Sequence, residues 1–147
     1  MGSRKQGLKV LLDTSFLLPS LGVDVGREVA KGLRGLAEAE AEIYYSRFSV
    51  LEALWVTARL LRDGAFDGDR FSLGLRSIID GGRYRLLEED AHSYSEGLRL
   101  YRLGHRDMID NILYASSVSH GLSFMTLDRE LGGFIGEMGL KDNLVFP

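Results

Sequence analysis

Five carboxylates stand out by type and position: Asp13, Glu52, Asp107, Asp110 and Asp128. Asp13 and Asp128 each follow the last apolar residue of a short aliphatic run, residues 8–12 and 122–127. Asp107 and Asp110 are three apart, the spacing that makes neighbours on one helix face. Glu52 sits among Leu51, Ala53, Leu54 and Trp55, a setting that suits a charge only where it faces a cleft. Carboxylates that converge without compensating Lys repel one another, and divalent cations are the usual remedy. Oxygen ligands select Mg²⁺ or Mn²⁺ over zinc, and with no cysteine in the chain a thiolate site is excluded.

Four of these acids also have an ordinary structural reading. Asp13 and Asp128 can cap the helices that follow them, and Asp107 can complement a helix dipole from the first turn. Glu52 can pair with Arg59 or Arg62 on an exposed face. The constellation is more specific than its members, because independent caps have no need of a common edge.

The elements that must position these acids follow from the hydrophobic pattern. Residues 8–12 form a continuous run of the kind buried on both faces in a parallel sheet. Further strands are expected at 43–46, 84–87, 122–127 and 144–146. A short helix starts at Thr14 and ends by Pro19 or Gly22, and a second runs from an Asp24 cap to about Glu40. Ser49 opens a third, stopped at Asp63 and Gly64, and a fourth spans 66–80 with Asp67 or Asp69 as its cap. Asp90 caps a fifth that reaches Gly104. His105 begins the sixth, closed by His120 and Gly121, and the last covers 128–138. Strands alternating with helices predict an α/β fold with a mainly parallel central sheet. In such sheets the reactive crevice lies beyond the carboxyl ends of the strands, so Asp13 and Asp128 are expected on one rim.

With 147 residues, 45% hydrophobic and 27% charged, the chain suits one domain with a real core. Residues 1–7 read as a flexible lead without the apolar stretch of a secretory signal. No apolar run approaches the roughly 20 residues that span a bilayer, so no membrane association is expected and a cytoplasmic location follows. A net charge of −3 disfavours passive, sequence-blind nucleic-acid binding, yet permits an acidic site whose cations face phosphate. His105-Arg106-Asp107 spells a kinase triplet, but the chain is too short for that fold and lacks its glycine loop. No phosphate-binding glycine motif and no G-x-S-x-G elbow occurs. The three histidines lack zinc spacing and read as surface or capping residues. Tyr44, Tyr45, Trp55, Tyr94 and Tyr101 read as core or dimer surface rather than base-stacking platforms.

Four segments in order carry a resemblance. They are Val10-Leu11-Leu12-Asp13-Thr14-Ser15, Ser49-Val50-Leu51-Glu52-Ala53, the helix from Asp107 through Asp110 to Ala115, and Phe124-Met125-Thr126-Leu127-Asp128. In order, spacing and length the chain resembles a PIN domain of the kind found in VapC-like toxin ribonucleases and related prokaryotic nucleases. The resemblance implies a three-layer α/β/α sandwich and a Mg²⁺- or Mn²⁺-dependent endoribonuclease. It implies catalytic and metal-binding acids at Asp13, Glu52, Asp110 and Asp128, with Asp107 as an added ligand or support. Thr14, Ser15 and Thr126 would orient a ligand or water, and Arg47, Arg106 and Arg129 are candidates for flanking phosphates. A single-stranded or structured RNA substrate, a cognate antitoxin and a homodimer are implied with it. An RNA-processing nuclease without an antitoxin, and a silent PIN fold used for protein interaction, are the alternatives. A phosphotransfer domain with Asp13 as nucleophile lacks the second acid two residues on, where Ser15 stands.

Overall fold

Val10, Leu11 and Leu12 of strand β1 (Lys9–Leu12) are wholly buried. Successive strand side chains leave on opposite faces. Val10 and Leu12 therefore join one apolar cluster, with Phe16, Val29 and Ala53, while Leu11 joins another with Leu113, Phe124 and Leu131. A sheet buried on both faces needs a helical layer on each side, and the chain supplies both. The computed structural model describes residues 7–147; the rest of the lead expected at 1–7 lies outside the described residues.

Strands β2 (Glu42–Tyr45), β3 (Arg85–Leu86), β4 (Ser123–Met125) and β5 (Leu144–Val145) complete a sheet of order β3-β2-β1-β4-β5. All pairs are parallel, with Leu11 opposite Tyr44 on one side and Phe124 on the other. Helices α1 (Thr14–Leu17), α2 (Arg27–Glu38), α3 (Arg47–Arg62) and α4 (Gly68–Leu75) cover the face of Val10 and Leu12. Helices α5 (Ala91–Leu103), α6 (Met108–Ser119) and α7 (Arg129–Glu137) cover the other. This is the three-layer α/β/α sandwich expected from the sequence. The chain moves outward from β1 to β3 and then returns to β4 on the opposite side of β1. That reversal opens a crevice at the carboxyl ends of β1 and β4. Among the described residues no helix is long and apolar enough to cross a membrane.

Several boundaries differ from the sequence reading, each for a local reason. The sixth helix begins after Asp107, not at His105, because the Asp107 carboxylate accepts the Asp110 N–H at 3.1 Å. Ser46 rather than Ser49 caps α3, its hydroxyl accepting the Phe48 N–H at 3.1 Å. Asp24 closes a turn by accepting the Gly26 N–H at 3.0 Å, so α2 starts only at Arg27. The helix expected over 66–80 is α4 followed by a wide π turn at Arg76–Asp80.

Candidate active site

Three of the five acids are helix caps and members of the cluster at once. Asp13 Oδ1 accepts the Thr14 N–H at 2.6 Å ahead of α1, and Asp128 Oδ1 accepts the Leu131 N–H at 3.2 Å in α7. Asp107 Oδ1 does the same for α6. Each cap uses one oxygen on an unpaired backbone donor. The capping and the clustering of these residues are therefore compatible.

The free oxygens and the remaining acids meet at the crevice. Asp13 Oδ2 accepts from the Thr126 hydroxyl at 3.1 Å. Glu52, on α3, accepts from the Thr14 hydroxyl at 2.5 Å. The alternative pairing of Glu52 with Arg59 or Arg62 is not formed among the described residues. Asp110, only 8% exposed in the first turn of α6, lies among Asp13, Asp107 and Asp128. Of the three hydroxyls expected to orient a ligand or water, Thr14 and Thr126 bond to acids of the cluster and Ser15 lines the cleft beside them.

Electrostatics mark the cluster. Burial pushes the Asp13 carboxyl up to about 6, the charges of Glu52 and Asp107 add to this, and the Thr14 and Thr126 hydrogen bonds oppose it. Asp110 is driven far above the carboxylate range, first by burial and then by Asp13, Asp107 and Asp128. Like charges in one low-dielectric site cannot all ionise, so Asp110 keeps its proton at neutral pH. The site is short of positive charge.

Asp13, Glu52, Asp107 and Asp110 line a cleft of about 430 Å³ together with Trp55 and Arg59. A second cleft of about 560 Å³ shares Asp107 and is lined by Asp128, His105 and Arg106. Of the three arginines expected near phosphate, only Arg106 lines either cleft. Arg47 is exposed beside Tyr45, and the Arg129 guanidinium lies 3.9 Å from the centre of the Phe146 ring. Among the described residues no three His, Asp or Glu side chains are arranged as a ready cage for a metal ion. The donor set nevertheless suits a hard divalent cation: all oxygen, mutually repelling and partly protonated in its absence.

Two features escaped the sequence reading. His105 is buried, not a surface residue: its Nδ1 lies 2.6 Å from Asn111 Oδ1 and its Nε2 is 3.9 Å from Asp128 Oδ2. Asn111, wholly buried, donates to the backbone carbonyls of His105 at 2.7 Å and Gly97 at 3.4 Å. The available signal was an Asn inside a helix, where that residue is disfavoured unless its amide has partners. Trp55 is not in the core, the first of its two expected places: it is 66% exposed and lines the acidic cleft.

The model of the PIN domain family matches residues 10–133; the chain belongs to that family. Solved structures share the fold at low identity. A toxin–antitoxin complex from Klebsiella pneumoniae is 14% identical with a TM-score of 0.59, over 94% of this chain and 97% of that one. PAE2754 from Pyrobaculum aerophilum is 22% identical with a TM-score of 0.63, over 95% and 87%. Mycobacterium tuberculosis VapC20, a sarcin–ricin loop cleaving toxin, is 18% identical with a TM-score of 0.60, over 94% and 99%. No curated protein matches the chain.

Proposed function

We propose that this protein is a Mg²⁺- or Mn²⁺-dependent endoribonuclease acting at the crevice between β1 and β4, and the toxin of a toxin–antitoxin pair. The observation that carries this is the gathering of five carboxylates at a sheet switch point, where burial and neighbouring acids raise both Asp13 and Asp110. A structural role gives no return for holding repelling acids there; a cation that faces phosphate does. Asp13, Glu52, Asp110 and Asp128 would hold the metal, with Asp107 beside them. When bound, it supplies Lewis-acid stabilisation of phosphate charge and a water acidic enough to attack at neutral pH.

The chain's own residues prepare that site. Thr14 holds Glu52, and Thr126 holds Asp13 and the Asp128 backbone. Arg106 places a guanidinium on the Asp107–Asp128 side for a phosphate. The toxin role is supported by a structural neighbour described as a toxin–antitoxin complex and by another described as a toxin. Leu51, Leu54 and Leu61 leave an apolar stripe of α3 exposed, which suits a homodimer or an antitoxin contact. A cytoplasmic location fits an RNA substrate.

The deciding experiment is cleavage of a mixed single-stranded RNA in Mn²⁺ by wild type, Asp13→Asn, Asp110→Asn and Asp128→Asn. Metal-dependent cleavage that disappears in all three folded variants supports the assignment. A folded wild type that binds no metal and leaves RNA intact overturns it in favour of an interaction module.

A further inference from the structure

We propose that Trp55 and Arg59 form a nucleotide subsite on the wall of the acidic cleft. Trp55 stacks a base of single-stranded RNA, and Arg59 holds a phosphate of the same strand as it leaves the acids. The assignment deepens, and rests on, the nuclease reading of this cleft.

Helix geometry brings the pieces together. Glu52, Trp55, Val56 and Arg59 recur at the spacing of one helix face, and all four line the cleft that holds Asp13 and Asp110. From Glu52 to Arg59 the helix rises about 10 Å, at 1.5 Å per residue. A carboxylate, an indole and a guanidinium therefore follow one another outward from the acid cluster. Trp55 is 66% exposed, more than any other large hydrophobic side chain among the described residues. Leaving an indole in water forgoes the stabilisation its burial would bring, and an aromatic face beside a nucleic-acid site can recover it by stacking. Arg59 is exposed, and among the described residues it makes no ion pair, because Glu52 is held by Thr14 instead. Its charge is available to a phosphate.

A second copy of the chain is the rival occupant. Of the exposed leucines of α3, Leu54 and Leu61 lie about 100° and 120° round the helix from Trp55, while Leu51, one turn before Trp55, borders the cleft-lining stripe. The indole lines the cleft with the acids and the guanidinium, and none of the three leucines does. The observations favour RNA.

Trp55 is the only tryptophan in the chain, so its fluorescence reports the subsite directly. The full chain carrying Asp13→Asn, to block cleavage, is titrated in Mg²⁺ with a 12-residue oligoadenylate and with an abasic strand of equal length. The oligoadenylate is expected to quench the fluorescence and to bind roughly 5- to 150-fold tighter than the abasic strand, the range for one base–aromatic stack. By anisotropy of end-labelled strands, Trp55→Ala should abolish that gap and Trp55→Phe restore most of it. Arg59→Ala should weaken both strands equally and reduce the salt dependence by about one phosphate contact. Oligoadenylate binding with unchanged fluorescence and full affinity in Trp55→Ala overturns the subsite while wild-type cleavage keeps the nuclease reading intact. A wild type that neither cleaves nor binds RNA overturns both. A dimer that Trp55→Ala dissociates by light scattering, with RNA affinity unchanged, assigns the indole to a protein interface and overturns the subsite alone.

Discussion

The Thr126 hydroxyl donates to Asp13 Oδ2 at 3.1 Å and accepts the Asp128 N–H at 3.0 Å. One side chain, wholly buried, thus ties the acid that ends β1 to the acid that follows β4. Backbone pairing reinforces the link: the Asp13 N–H donates to the Met125 carbonyl at 3.0 Å. The two carboxylates are positioned by the sheet, not by flexible loops.

Thr126→Val preserves shape and removes both hydrogen bonds, leaving the Asp128 N–H without its partner. An unsatisfied buried donor costs roughly 1–3 kcal/mol, so a lower melting temperature is expected. Cleavage should fall at least tenfold, since Asp13 loses its orientation. Thr126→Ser should recover most of both. Equal cleavage by the valine variant would show that Asp13 is oriented by other means.

Asp13 supplies a pH dependence of stability with a definite sign. Its ordinary value is 3.8 and its value in the fold is about 6. Between these limits the native state binds more protons than the unfolded chain, so this group's contribution to stability falls as pH rises. Above about 6 the cost is complete and the contribution levels off. Asp13→Asn keeps an oxygen acceptor for Thr14 but carries no charge. It should remove this slope and raise metal-free stability near neutral pH by about 1–3 kcal/mol, from about 1.4 kcal/mol per unit. Melting of both proteins in EDTA across the window from about pH 4 to 7 measures it. Asp110 adds a slope of its own in this window, so the readout is the difference between the two proteins. A slope unchanged in the variant assigns the titration to another group.

Asp110 makes metal loading a proton-releasing event. Its carboxyl stays protonated at neutral pH through burial and the charges of Asp13, Asp107 and Asp128. A cation needs the carboxylate form, so binding should expel about one proton near pH 7.5. Calorimetry with Mn²⁺ in two buffers of different ionisation enthalpy reads that number directly. Wild type should release the proton and Asp110→Asn should not. Saturating metal at 100 times its dissociation constant should also stabilise the wild type by about 2.7 kcal/mol, reversed by chelation.

Much of this architecture was legible because it is written in local pattern. The run ending at Leu12 and the segment ending at Leu127 announce strands whose next residue is an acid, and parallel topology then puts Asp13 and Asp128 on one rim. What stayed hidden depends on contacts distant in sequence. Glu52 is held by Thr14, 38 residues earlier, and no spacing rule discloses that pair. His105 reads as the start of a helix, but Asp107, two residues on, takes the capping role by accepting the Asp110 N–H. Apolar periodicity marked α3 as a helix but not which of its stripes would be buried. Ser49, Ala53 and Thr57 take the interior, leaving Trp55 on the cleft and the leucines in solvent.

The buried Asn111 offers a test of how the acid cluster is supported from beneath. Its amide donates to the His105 carbonyl, and its oxygen meets His105 Nδ1, so one side chain holds the His105 backbone and ring together. His105 in turn packs against Phe134, with ring centres 5.3 Å apart, and directs Nε2 toward Asp128. Asn111→Ala leaves a buried ring nitrogen and a buried carbonyl without partners, which should cost roughly 2–4 kcal/mol. Urea unfolding should show this as a lower midpoint with an unchanged slope. Because Asn111 follows Asp110 in the first turn of α6, cleavage at a temperature where the variant is fully folded should fall as well. A stability loss without any change in cleavage would mean that α6 is held in register by its packing against α5, and that the His105–Asn111 pair supports the fold alone.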